Sequence, residues 1–396
     1  MRISTVTMYQ QSLNAMNRQQ GDFLKVGQQL ASGKRVVNPS DDPQAASRAV
    51  SVSQAAAANK QYGDARTTAR NALSQESSLL DSVSDAIIRA QTLLVQASNG
   101  VLSDADRASV SSELKGVYET LIGQANATDG NGRYVFGGYQ DSAPPFVKNN
   151  GRIEYQGDTG IITQQVDASR LMPTSDHGAS IFQSVHSASG FVANAQIQDG
   201  SNLTFKGPSV VDSNVPHSGF TVSFEEDASG AMTYRIGTDA PQPYVAGEAI
   251  RHNGLSITLE GQPKAGDEVA VQAAQDADPN VFRTLENMIA ALDKPAETDT
   301  EKAQLQNTLS VSNRELRNAL DNVLTTNASV GARLNELDTI DSVGGNRALN
   351  YASTLSTLVD LDYNAAISEY SLRQVGLQAA QKSFVDIQQL SLFKFL

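Results

Sequence analysis

The sequence predicts a mainly α protein with an inserted β domain. Long coiled-coil-like helices from both termini would form a rod, and a strand-rich middle domain would project outward from it. Three observations carry this expectation. First, the composition is zoned. Residues 1–145 and 281–396 are rich in Ala, Gln, Ser and Leu, whereas residues 146–280 hold 14 of the 29 Gly and all four His, with 16 acidic against 7 basic side chains. Second, the outer zones repeat apolar residues at alternating spacings of three and four. A period of about 3.5 residues returns one stripe to one helix face. Third, the middle zone places Asn-Gly and Asp/Ser/Gly turn signals between short alternating runs, the mark of hairpins. A helix–strand–helix order of zones reads as a β insertion into a helical domain built from both ends. The expected divisions are residues 1–45 with 350–396 as a terminal domain, mobile in the monomer and ordered in assembly; 46–145 with 280–349 as a helical rod domain; and 146–279 as a β-rich outer domain.

The elements follow in order. Val6, Tyr9, Leu13, Met16, Gln20, Phe23, Gly27 and Leu30 give the first helix its stripe. Gly33 can supply the left-handed stop, Asn38-Pro39 keeps the chain extended, and Asp42 is placed to cap a second helix with Pro43 at its first position. Ala69, Leu73, Glu76, Leu80, Val83, Ile87, Ala90, Leu94 and Ala97 form the seam of that helix. Ser103, with Asp106 three residues on, starts a third. Hairpins are expected about Asn149-Asn150-Gly151, Asp227–Gly230 and Asn253-Gly254. Leu316, Leu320, Val323, Asn327, Val330, Leu334 and Leu337 repeat the heptad late in the chain. A last helix, Leu355–Leu390, carries two opposed stripes. Tyr363, Ile367, Tyr370, Leu377 and Phe384 lie on one face; Leu358, Leu361, Ala365, Leu372, Val375 and Ala379 lie roughly opposite. One stripe suffices for a surface helix, so two imply burial on both sides, here against neighbouring subunits.

Composition narrows the chemistry. The chain has 396 residues, a formal net charge of −13, no Cys and no Trp. A net-acidic chain repels phosphate backbones, so no nucleic-acid partner is expected. Without Cys there is no disulfide frame, Cys-zinc site or thiol nucleophile. No apolar run approaches membrane-spanning length, and no secretory signal is visible, so no membrane partner is expected. No His-Glu-x-x-His, phosphate-binding loop or Gly-x-Ser-x-Gly elbow occurs. His177, His186, His217 and His252 are scattered. The expectation is no enzyme, no cofactor and no metal.

The segment Leu30-Ala31-Ser32-Gly33-Lys34-Arg35-Val36-Val37-Asn38-Pro39-Ser40-Asp41-Asp42-Pro43 resembles the N-terminal signature of the bacterial flagellin family. Three further stretches resemble the hook-associated branch of that family: Met1–Thr5 with Met8-Tyr9; Asn131-Gly132-Arg133-Tyr134-Val135-Phe136-Gly137-Gly138 leading to Pro144-Pro145-Phe146; and Leu390-Ser391-Leu392-Phe393. The resemblance covers residues 1–160 and 280–396. It implies a structural part of the flagellum, joining hook to filament and acting as adaptor for filament assembly. Its implied partners are copies of itself in a ring, neighbouring hook-associated protein and flagellin subunits, and, before assembly, an export chaperone and the flagellar secretion apparatus. The chain would be secreted to the flagellum after a transient cytoplasmic stage. The alternatives are a filament flagellin, or a secreted binding module or enzyme using the middle domain. The expected subunit-interface residues are Val6, Tyr9, Leu13, Met16, Phe23, Leu30, Leu358, Leu361, Tyr363, Ile367, Tyr370, Leu372, Leu377 and Phe384. The expected interhelix loop residues are Gly33, Lys34, Arg35, Asp41, Asp42 and Pro43, of which the charged Lys34, Arg35, Asp41 and Asp42 would either pair across subunits or serve solubility and capping.

Overall fold

The computed structural model describes residues 5–99, 102–186 and 188–392, with side chains described between Thr7 and Asp386. The opening Met1–Ser4 and the closing Phe393 of the family signatures, and the Val6 side chain, lie outside the described residues. Among the described residues the helices are α1 (Thr5–Ser32), α2 (Pro43–Ala97), α3 (Asp104–Ala125), α4 (Gly178–Phe182), α5 (Val281–Leu292), α6 (Asp299–Val359) and α7 (Tyr363–Leu392). Between α3 and α4 lie the hairpins β1 (Phe146–Asn149)–β2 (Arg152–Tyr155) and β3 (Thr163–Asp167)–β4 (Arg170–Pro173). After α4 come β5 (Phe191–Gln196), β6 (Thr204–Val210), β7 (Phe220–Glu226), β8 (Met232–Ile236), β9 (Gln242–Pro243), β10 (Ala249–His252), β11 (Leu255–Glu260) and β12 (Glu268–Ala273). The helical ends and strand-rich middle read from the sequence are therefore the observed architecture. The chain divides into two compact units: Met1–Asp64 with Thr339–Leu396, and Ala65–Asp338.

In the unit of residues 65–338, every heptad position from Ala69 to Ala97 on α2 is buried, Glu76 included. Ser103 caps α3 as expected: its hydroxyl accepts from the Asp106 N–H, and the Asp106 carboxylate accepts from the Ser103 N–H in return. The strands form a sheet ordered β5-β12-β7-β8-β9 and a second ordered β10-β11-β6. Phe205, Leu255, Ile257 and Leu259 of one sheet and Phe220, Val222, Phe224, Val269 and Val271 of the other close a single core, as alternating inward side chains do in packed sheets. The Asn-Gly turns fall where the sequence places them. Asn150 and Gly151 (φ 49° and 83°) and Asn253 and Gly254 (φ 48° and 73°) take the left-handed values that a two-residue hairpin turn requires. Phe146, Phe182 and Phe282 pack ring to ring at centroid distances of 5.1–5.6 Å, with Phe136 against Phe182, tying β1, α4 and α5 together. The Gly137-Gly138 pair that ends the Arg-Tyr-Val-Phe stretch has a packing reason. Gly138 sits at φ 66° against Asp158, so a Cβ there would collide with that residue.

One buried polar group breaks the apolar seam. Glu76 accepts from the Asp176 N–H at 3.0 Å, and the Asp176 carboxylate pairs with Arg333 at 2.5 Å. Burial, then the charge of Asp176, pushes the Glu76 carboxyl up to about 8, while Arg333 opposes the shift.

Candidate functional site

The unit of residues 1–64 and 339–396 is built on α1 lying antiparallel to α7. Tyr9 meets Phe384 with ring centroids 5.3 Å apart, and Phe23 meets Tyr370 at 4.7 Å. Small residues permit the close approach: Gly27 faces the Tyr370 ring, and Gly376 faces Gln19. Arg373 on α7 pairs with Asp22 on α1 at 2.8 Å and with Glu369 one turn back. Thus Tyr9, Phe23, Tyr370 and Phe384 of the expected interface set meet inside one chain. Leu13, Met16, Leu30 and Leu377 are half-buried.

The sequence reads Leu355–Leu390 as one helix; the structure breaks it. α6 ends at Val359 and α7 begins at Tyr363. The physical reason lies more than three hundred residues away in the chain. The loop after α1 docks against the break: Arg35 N–H donates to the Val359 carbonyl (2.7 Å), Leu361 N–H donates to the Gly33 carbonyl (3.0 Å), and the Arg35 guanidinium donates to the Leu358 carbonyl (2.7 Å). Lys34 and Asp360 face each other across this short antiparallel bridge. Asp362 then caps α7, accepting from the Asn364 and Ala365 N–H groups. Leu358 and Leu361 are half-buried at the break.

The charged loop is committed within the chain. Asp41 accepts from the Val37 and Asn38 N–H groups and pairs with Lys25 at 3.0 Å. Those contacts, the Asn38 hydrogen bond first, hold its carboxyl below the usual carboxylate range. Asp42 accepts from the Ala45 N–H at 3.0 Å and pairs with Arg35 at 3.1 Å, which lowers its carboxyl likewise, and Pro43 takes the first position of α2. Gly33 stands at φ 66° with Tyr363 above it, where a Cβ would lie 2.8 Å from the tyrosine hydroxyl. Capping and turn chemistry therefore occupy Gly33, Arg35, Asp41, Asp42 and Pro43.

Several large apolar side chains stay uncovered by α1. On α7, Leu372 is 70% exposed, Val375 63%, Ile367 54% and Tyr363 53%; on α1, Leu24 is 55% exposed. Sequence reasoning named Ile367, Tyr363 and Leu372 among the interface residues and placed Val375 on the second stripe. It passed over Leu24, Val343 and Leu349, which fall off the heptad and are exposed too. Isolated exposed apolar residues are ordinary, but Leu372 and Val375, three positions apart on one face of α7, form an exposed apolar pair that marks a candidate interaction surface. Among the described residues no group of three or more His, Asp or Glu could hold a metal ion, and no helix is long and apolar enough to cross a membrane.

The N-terminal part of the chain is flagellin-like: the family described as the bacterial flagellin N-terminal helical region matches residues 3–141. The particular branch follows from full-length similarity. The chain is 39% identical over 395 residues to the flagellar hook-associated protein 3 of Escherichia coli (strain K12), covering 100% of this chain and 99% of that protein. It is 38% identical over the same length, with the same coverage, to the flagellar hook-associated protein 3 of Salmonella typhimurium. The chain belongs to the flagellar hook-associated protein 3 family. Among solved structures, the flagellar junction protein FlgL of Legionella pneumophila superposes with a TM-score of 0.67 at 25% identity, over 79% of this chain and 100% of that one. FlgL of Xanthomonas campestris gives 0.67 at 28% identity, over 77% and 99%.

Proposed function

We propose that the chain is a structural component of the bacterial flagellum that forms the junction between hook and filament and acts as adaptor for filament assembly. The observation that carries this reading is the uncovered apolar face of α7 that bears Leu372 and Val375, on a chain related over its full length to hook-associated proteins. Copies arranged in a ring would bury that face against each other and against neighbouring hook-associated protein and flagellin subunits. Water would be removed from several large apolar side chains per copy, at about 25 cal/mol for each Å² of apolar surface buried. Before assembly the same face needs cover, which is the part we assign to an export chaperone in the cytoplasm ahead of passage through the flagellar secretion apparatus. The role is structural, with no catalytic turnover. Residues 1–45 with 350–396 would form the inner assembling part, 46–145 with 280–349 the rod, and 146–279 the outward domain.

The test is electron microscopy of purified chain mixed with isolated hooks. A discrete ring or short collar at one hook end supports the junction reading. Continuous filaments formed by this chain alone would replace it with the filament-flagellin alternative.

A further inference from the structure

An open groove of about 400 Å³ runs between β6 and α6, bordered by Lys206 and Gly207 on the strand and by Arg314, Arg317, Asn318 and Asp321 on the helix. Arg314 and Arg317 are three residues apart, so both guanidiniums stand on one helix face. Neither has a carboxylate within ion-pair distance among the described residues. Burial, then the charge of Arg317, holds the Arg314 guanidinium below its ordinary value, and no acidic group offsets them. Lys206 adds a third cation, with its ammonium 2.6 Å from Glu260. Glu260 offsets Lys206, and Asp321, one turn beyond Arg317, offsets one guanidinium, so the two arginines leave the groove with one net positive charge. Asn318, 7% exposed, lies between the two arginines in sequence and lines the same groove.

These features are costly without a ligand. A half-buried guanidinium beside a like charge is penalised by desolvation and by repulsion. They also run against their surroundings, because the chain has a net charge of −13. Paired guanidiniums present planar forks of N–H donors that match carboxylates two bonds at a time.

We propose that Arg314, Arg317 and Asn318 form a binding groove for the carboxylates of an acidic peptide segment. The acidic side chains seat against the two guanidiniums, and the Asn318 amide donates to a carboxylate or a peptide carbonyl. The site itself requires no assembly to be occupied.

The experiment is calorimetric titration of the full-length chain, in low salt, with a Glu-Glu-Asp-Asp peptide, with citrate and with inorganic phosphate as separate arms. The expected result is saturable peptide binding that weakens as salt rises, with citrate weaker and phosphate weakest. In the R314Q/R317Q double variant, peptide affinity falls at least ten-fold. The unliganded melting temperature of that variant stays equal to or above the parent's, since a like-charge pair has been removed, and the rise in melting temperature on adding peptide disappears. No saturable peptide binding, or binding unchanged in the double variant, overturns the proposal. Phosphate binding tighter than peptide at equal ionic strength overturns the carboxylate assignment. Because the readout is binding by the dissolved chain, its failure leaves the junction reading untouched.

Discussion

In the unit of residues 65–338, all nine seam positions of α2 from Ala69 to Ala97 are buried. In the unit of Met1–Asp64 with Thr339–Leu396, the buried apolar side chains among the described residues are Val26, Val36, Ala45 and Ala366. Both regions carry the same heptad grammar. The difference is in what covers the stripe. On α2, neighbouring helices and the 174–177 segment supply partners inside the unit. On α7, α1 covers the side bearing Ala366, Tyr370, Leu377 and Phe384 and leaves Ile367, Leu372 and Val375 in water. A period near 3.5 specifies that a stripe exists, not that its partner belongs to the same chain. The second unit is a half-finished core, and its completion is the function we assign to it.

The comparison can be broken at several points. The largest expected effect is in local stability. Amide hydrogen exchange in α1 and α7 should run orders of magnitude faster than in α2 between Ala69 and Ala97, because few buried apolar contacts hold the terminal pair closed. Equal protection in the dilute monomer would show the terminal pair to be as complete as the other unit. Next, Phe282→Ala should cost about 3–5 kcal/mol in urea unfolding, since Phe282 is wholly buried among Tyr118, Phe146 and Phe182.

Glu76 gives a pH signature to the large unit alone. Its folded carboxyl, raised to about 8 from an ordinary 4.5, keeps its proton where the unfolded chain has lost it. Stability should therefore fall as pH rises through that window, by about 1.4 kcal/mol per pH unit for one proton, and level off above it. Glu76→Gln should flatten that slope in melting curves taken from pH 5 to 9. Smaller still, Asp42→Ala should lower stability slightly by removing the cap of α2 and the partner of Arg35. Thermal unfolding of the terminal unit, followed by a probe placed in α1, measures it.

Much of this was legible in the residues, for reasons that differ by element. The α2 seam, the Ser103 capping box, the Asp42-Pro43 start and the Asn-Gly hairpins are local. Their signals sit within a few positions of what they specify. The break between α6 and α7 was not, because no Gly or Pro marks it and the apolar stripes continue across it. What sets it is the docking of Gly33–Arg35, which sequence spacing cannot show. The pairing of β12 with both β5 and β7, and of β6 with β11, is likewise non-local. Glu76 reads as a polar residue in a heptad. Only the fold reveals Asp176 and Arg333 beside it. Of the candidate surface, the residues were legible but the side each would face was not. Tyr9, Phe23, Tyr370 and Phe384 are used within the chain, while Leu372 and Ile367 are left outward.

The smallest stability effect should accompany the largest loss of function. Leu372→Ser with Val375→Ser alters side chains 70% and 63% exposed, so unfolding free energy should change by no more than about 0.5 kcal/mol. The direct measurement is filament growth, scored by electron microscopy and swimming, in a deletion strain supplied with the double variant at parental expression and secretion. The account predicts a folded, secreted protein, hooks without filaments and no motility. Normal filaments and normal swimming would contradict it, and would show that the outward face of α7 is not where subunits join.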